Sequence, residues 1–113
     1  MKLAQVMTAS SPDLVLHTGD IIYPNGARED YDPKFFAPYR EIITNVCIFP
    51  VAGNHDYMTD DGAPYFDVFY LPTNNPSRTE RYYSFNYGDV HFVALDSNIE
   101  SNKVTFKGED AAA

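Results

Sequence analysis

Leu14-Val15-Leu16 and the stretch from Val46 to Ala52 are short apolar runs, each leading into a glycine and a polar group. The first closes in His17-Thr18-Gly19-Asp20 and the second in Gly53-Asn54-His55-Asp56. Runs of this length, β-branched in part and not alternating, predict strands of the parallel type covered on both faces. Ahead of the first, Leu3, Val6 and Met7 have the spacing of a short helix's apolar side, and Ser10-Ser11-Pro12 stops it. Residues 24–33 are polar and rich in turn formers, which predicts a loop. Phe35, Phe36, Tyr39, Ile42 and Ile43 then recur at helical spacing. Pro38 is tolerated only in a first turn, so the main helix is predicted to begin near it. Strand, helix-bearing crossover and strand make a βαβ unit.

Residues 57–81 have little periodicity and many breakers, among them Asp60-Asp61-Gly62, Pro64, Pro72 and Asn74-Asn75-Pro76. They predict a long irregular loop, a feature that is usually functional or disordered. Tyr82–Tyr87 and Val90–Leu95 alternate around Gly88-Asp89, the signature of a hairpin. After Asp96 the chain turns polar, and residues 101–113 read as a flexible tail. The predicted fold class is α/β: a βαβ unit with parallel strands followed by a β-hairpin. At 113 residues this is one domain at most.

Composition sharpens this picture in three places. Nine Tyr and eight Phe with no Trp point to a core and cleft of single-ring aromatics. Sixteen acidic against eight basic residues give a net charge of −8, which argues against binding a nucleic-acid backbone. No apolar run nears the roughly 18 residues of a membrane span, and the first residues do not read as a signal peptide. Cys47 is the single cysteine, so no intrachain disulfide or thiolate cluster forms, and its apolar setting predicts a small core residue.

In open α/β sheets, ligands bind outside the carboxyl ends of the strands. Asp20, Asn54 and His55 are therefore expected at one rim. The donors suit a hard metal: two carboxylate oxygens on Asp20, the Tyr23 phenol and the Asn54 carbonyl oxygen. Two cations about 3.5–4 Å apart polarise a phosphoryl oxygen and generate hydroxide near neutral pH. Such cations would also offset the acidity of a chain that handles phosphate esters. His55 is placed to give a proton or hydrogen bond to a leaving oxygen. Plainer roles stand beside these. Asp20 also suits a turn aspartate bonded to its own backbone, and Tyr23 a cleft aromatic. His17 and His91 suit packed or hydrogen-bonded sheet positions, and Asp60-Asp61 a solvated loop.

Gly19-Asp20-Ile21-Ile22-Tyr23 and Gly53-Asn54-His55-Asp56 resemble the second and third signature blocks of the calcineurin-like metallophosphoesterases. Tyr23, three residues after Asp20, is similar to the purple acid phosphatase branch. So are Phe49-Pro50-Val51-Ala52, Tyr82-Tyr83-Ser84-Phe85 and Val90 through Asp96. The resemblance covers residues 1–100 and implies a partial metallophosphoesterase catalytic domain there. It implies a dinuclear metal centre, iron with iron, zinc or manganese, and hydrolysis of a phosphate mono- or diester by metal-activated hydroxide. By position, Asp20 would bridge both metals, Tyr23 would bind the iron(III)-type metal, and Asn54 the divalent one. His55 would be the catalytic outer-sphere histidine, with Asp56 in the same catalytic group orienting that histidine or the turn. The family's first Asp block and its later Gly-His-x-His block have no match here, so the chain reads as a fragment holding part of the site. A non-catalytic remnant and an interaction module are the alternatives. An incomplete sheet leaves open edges, which implies self-association or a complementing chain. Many family members are secreted, and the compartment stays open.

Overall fold

The computed structural model describes residues 2–98, so the tail expected at 101–113 lies outside the described residues. Helix α1 (Lys2–Ala9) leads into strand β1 (Leu14–His17), and a crossover containing helix α2 (Arg40–Asn45) returns to strand β2 (Cys47–Pro50). The two strands are parallel, with Leu14 beside Cys47 and His17 beside Pro50. The Val51 N–H donates to the His17 carbonyl at 3.0 Å and extends the pairing towards the second glycine turn. Helix α3 (Ala63–Val68) follows, and strands β3 (Tyr83–Tyr87) and β4 (Val90–Ala94) close the described chain as an antiparallel hairpin. The α/β class, the βαβ unit and the hairpin all match the sequence reading. Gly88, at φ +58°, supplies the left-handed turn position between β3 and β4.

The differences have local causes. The crossover helix is split: a π-type turn spans Asp32–Phe36 with Pro33 in its first turn, and α2 begins only at Arg40. Pro38 falls between the two pieces and has no N–H to continue the ladder. The apolar spacing still works, because Phe35 and Ile42 are buried and Phe36, Tyr39 and Ile43 pack against the core. Within 57–81 the chain is largely irregular as expected, interrupted by the short helix α3; Gly62 is left-handed before it and Pro64 sits in its first turn. Helix α1 forms where expected but buries Ala4, leaving Leu3 and Val6 exposed. Cys47 opens β2 and is exposed rather than part of the core. Leu16 is 51% exposed, so β1 is not covered on both faces as its sequence suggested.

Most of the core comes from the segments outside the strands, with Tyr83 of β3 joining it and Ile48 and Phe49 of β2 packed against it. Tyr31, Phe35, Tyr57, Tyr65 and Phe69 belong to the core with Ile22, and Phe69 meets Tyr31 and Phe35 edge to face and Tyr65 at a tilt. The Phe35 and Phe69 rings, for example, lie 5.7 Å apart at 67°. This is the aromatic core that composition suggested. Phe49 on β2 stacks on Phe85 of the hairpin at 3.8 Å, and Phe85 on Phe92 at 4.9 Å, tying the two sheets together. A groove of about 240 Å³ runs beside this stack, bordered by Leu16, Val93 and Leu95. No helix among the described residues is long and apolar enough to cross a membrane.

Candidate metal centre

Both strands release the chain through glycine turns, and the turns touch. Gly19 has φ +106°, and a Cβ there would sit 2.9 Å from the Gly53 backbone nitrogen. A Cβ on Gly53 would fall onto the carboxylate and the backbone nitrogen of Asp20. The two glycines therefore make the close approach possible, and the requirement at Gly53 is purely steric. Gly53→Ala should cost about 3 kcal/mol, the upper end for overpacking, because the nearest obstacle includes backbone. Urea denaturation checks it, and a loss below about 1 kcal/mol would show that the turns are farther apart.

Asp56 splices the turns. Its side chain is fully buried, and its carboxylate accepts from the N–H groups of Ile21 at 2.9 Å, Ile22 at 3.1 Å and Gly53 at 2.8 Å. The Gly53 bond caps the residue's own turn; the other two reach across to the turn of Asp20. Burying an unpaired charge is costly. Among the described residues, this one is compensated by backbone N–H groups, and no ion pair involves it.

Asp20 stands at the surface of this splice in the left-handed region, at φ +55°, a conformation Asp tolerates better than most residues. One of its oxygens accepts the His55 backbone N–H at 3.1 Å, and the other accepts the Tyr23 hydroxyl at 2.9 Å. The hydrogen bond to Asp20 holds the Tyr23 phenol above its ordinary pKa of 10.0. The Tyr23 and His55 rings lie 4.6 Å apart. His55 directs its Nδ1 to the Pro24 carbonyl at 2.6 Å. Asn54 is exposed on the same turn, between Gly53, tied to Asp56, and His55, tied to Asp20. The fold thus brings Asp20, Tyr23, His55 and the Asn54 turn together at one rim.

The second of the two roles considered for Asp56, holding the turn, accounts for its contacts. His17 shares the structural duty: its Nδ1 accepts the Gly19 N–H at 3.1 Å, which requires a neutral ring. Burial pushes the His17 pKa below its ordinary 6.5, against the opposing pull of Asp56 and Asp20. Below that value the unfolded chain takes up a proton that the folded chain resists, so stability falls as pH drops through the window. Between about pH 7.5 and about pH 5.5, urea midpoints should fall more steeply for the native chain than for His17→Gln. Equal slopes would mean the imidazole titrates freely in the fold. His91 lies on the hairpin, exposed and bonded to Asn86, away from this cluster. Asp60 and Asp61 are both exposed, and Asp61 pairs with Arg81 at 3.2 Å.

The donor set fits a hard cation in part. The Asp20 and Tyr23 oxygens are 2.9 Å apart, near the roughly 3 Å expected of adjacent oxygens on one ion with bonds of about 2.1 Å. Binding there requires the phenol to give up the proton it now shares with Asp20. Among the described residues no group of three or more His, Cys, Asp or Glu is placed to hold a metal. The structure thus joins two oxygen donors, the Asp20 carboxylate and the Tyr23 phenol, with Asn54 exposed on the adjoining turn.

A family model described as calcineurin-like phosphoesterase matches residues 2–110. The chain belongs to this family. Among its curated relatives in Arabidopsis thaliana, probable inactive purple acid phosphatase 1 is 28% identical over 99 residues, 75% of this chain and 16% of that protein. Probable inactive purple acid phosphatase 24 is 31% identical, with the same 75% and 16% covered. Purple acid phosphatase 15 is 29% identical over 121 residues, 83% of this chain and 23% of that protein. The calcineurin-like chain thus spans about a sixth of the length of the first two relatives. No solved structure matches it. The family is generally metal-dependent, in keeping with the oxygen donors at the rim.

Proposed function

We propose that this segment is part of a metal-dependent phosphoesterase centre acting on phosphate mono- or diesters. The observation that carries the reading is the Asp56 carboxylate bonded to both glycine turns, which brings Asp20 against the turn bearing Asn54 and His55. Asp20, Tyr23 and Asn54 would hold the metal pair, iron with iron, zinc or manganese. Polypeptide beyond this segment would supply the remaining donors. When bound, such cations supply Lewis acidity towards a phosphoryl oxygen and lower the pKa of water. The chain's own residues then have distinct tasks. Asp20 orients the phenol and the His55 backbone. His55, with Nδ1 engaged by the Pro24 carbonyl, offers Nε2 as the nitrogen that would meet a phosphoryl or leaving oxygen. Asp56 touches no substrate; it is a positioning residue.

The segment by itself is expected to be inactive. The test is therefore hydrolysis of p-nitrophenyl phosphate and its diester by the longer polypeptide that carries this segment and the remaining donors, loaded with iron, zinc or manganese, alongside metal analysis. The expected result is metal-dependent turnover that His55→Ala removes while the metal content stays. Absence of bound metal at neutral pH would overturn the catalytic reading for this chain. It would favour a second one, a non-catalytic or interaction module of the same fold. Two observations support that alternative: relatives named probable inactive, and an apolar groove beside β1 that a second copy or a complementing chain could cover. Light scattering separates these, since a stable monomer removes self-association.

A further inference from the structure

Residues 23–25 cross the rim as a short strap, and three successive carbonyls along it are each held by a side chain from elsewhere. The Tyr23 carbonyl accepts from Lys34 Nζ at 2.7 Å, the Pro24 carbonyl faces His55 Nδ1 at 2.6 Å, and the Asn25 carbonyl accepts from Thr59 Oγ1 at 2.7 Å. A carbonyl oxygen carries no proton, so His55 is the donor in the middle bond and its Nδ1 is protonated. The outer two bonds bracket it. The Lys34 bond is charge-assisted and therefore the stronger of the pair. Beneath the strap, Gly26 returns the chain at φ +66°, so close to the turn that a Cβ would meet the His55 carbonyl at 2.8 Å. The strap therefore lies directly over the turn that carries the imidazole.

We infer that Lys34 and Thr59 are positioning residues: by clamping the strap on either side of Pro24, they fix His55 as the Nδ1–H tautomer with Nε2 left for chemistry. The importance of that placement for turnover rests on the phosphoesterase reading above; the placement itself does not. Lys34 also pairs with Asp30 at 3.4 Å. That contact provides a control, because breaking it leaves the donor on the Tyr23 carbonyl.

The experiment is nitrogen NMR of histidine-labelled chain with the ring deprotonated, reading the His55 tautomer without metal or substrate. The native chain should be predominantly Nδ1–H. Losing one clamp, as Lys34→Met or Thr59→Val, should lower the ratio of Nδ1–H to Nε2–H by about three- to tenfold, the scale of one hydrogen bond. The double variant should lower it further. Lys34→Arg should restore the native ratio, and Asp30→Asn should leave it unchanged. Hairpin resonances that stay in place in each variant establish that the fold is retained. A native Nε2–H tautomer, or an unchanged ratio in the folded double variant, would overturn the inference. The expected ratios together with no metal bound by the longer polypeptide that carries the remaining donors would sink the phosphoesterase reading and leave this one standing.

Discussion

Asp56→Asn is expected to destabilise the chain by about 3 kcal/mol, and Asp56→Ala by about 5 kcal/mol. The backbone donors around the carboxylate set these magnitudes. Asparagine keeps one oxygen but sets an NH₂ against an N–H that the carboxylate now accepts, from either Ile21 and Ile22 or Gly53. At least one bond to a charged group, worth about 1.5–3 kcal/mol, is lost, and a donor is left buried without an acceptor. Alanine removes every acceptor and leaves a void beside Ile22, which is itself fully buried. Against a total stability of about 5–15 kcal/mol, the alanine variant leaves little folded chain. Asp60→Asn is the control, an exposed left-handed aspartate whose replacement should stay within about 0.5 kcal/mol. Urea denaturation followed by tyrosine fluorescence reads all three. A loss below about 1 kcal/mol in Asp56→Ala would mean that its three acceptor contacts are not made in solution.

The second large effect concerns the metal. Asp20→Asn should abolish binding of Mn²⁺, followed by electron paramagnetic resonance, with affinity falling more than about 100-fold. That lies beyond the 10–100-fold typical of an outer partner. Asn is as much at ease as Asp in the left-handed conformation, so the backbone should stay in place. The loss would then report on the missing charge and oxygen, not on unfolding. His55→Ala should change Mn²⁺ affinity only a few-fold, since its imidazole bonds to the Pro24 carbonyl and its backbone N–H survives the substitution. Equal losses in the two variants would contradict the division of roles between them.

Much of this geometry is legible in the residues themselves. The apolar runs, their glycine endings and the Gly88-Asp89 turn are local signals, and each element forms where its residues direct. That Asp20 and the 53–56 turn lie at the same end of the sheet follows from strand polarity; their contact does not, and needs Asp56. What stays hidden depends on neighbours. Leu16 and Cys47 sit in apolar runs, yet exposure is decided by what covers a strand, which its own residues do not encode. The six-residue helix α3 is too short for a periodic pattern, and its Gly62 and Pro64 read as breakers when they are its boundary. For Asp56, motif position leaves histidine and turn equally open; burial and the three N–H donors decide between them. Lys34 and Thr59 act on main-chain carbonyls, and no side-chain pattern marks a residue whose partner is backbone.

Scalar couplings transmitted through hydrogen bonds give the most direct measurement. With ¹⁵N and ¹³C labels, the Asp56 carboxyl carbon should couple to the amide nitrogens of Gly53 and of Ile21 or Ile22, so that one side chain reports contact with both turns. Coupling to Gly53 alone would leave Asp56 capping only its own turn, and the shared rim of Asp20, Asn54 and His55 would not exist in solution.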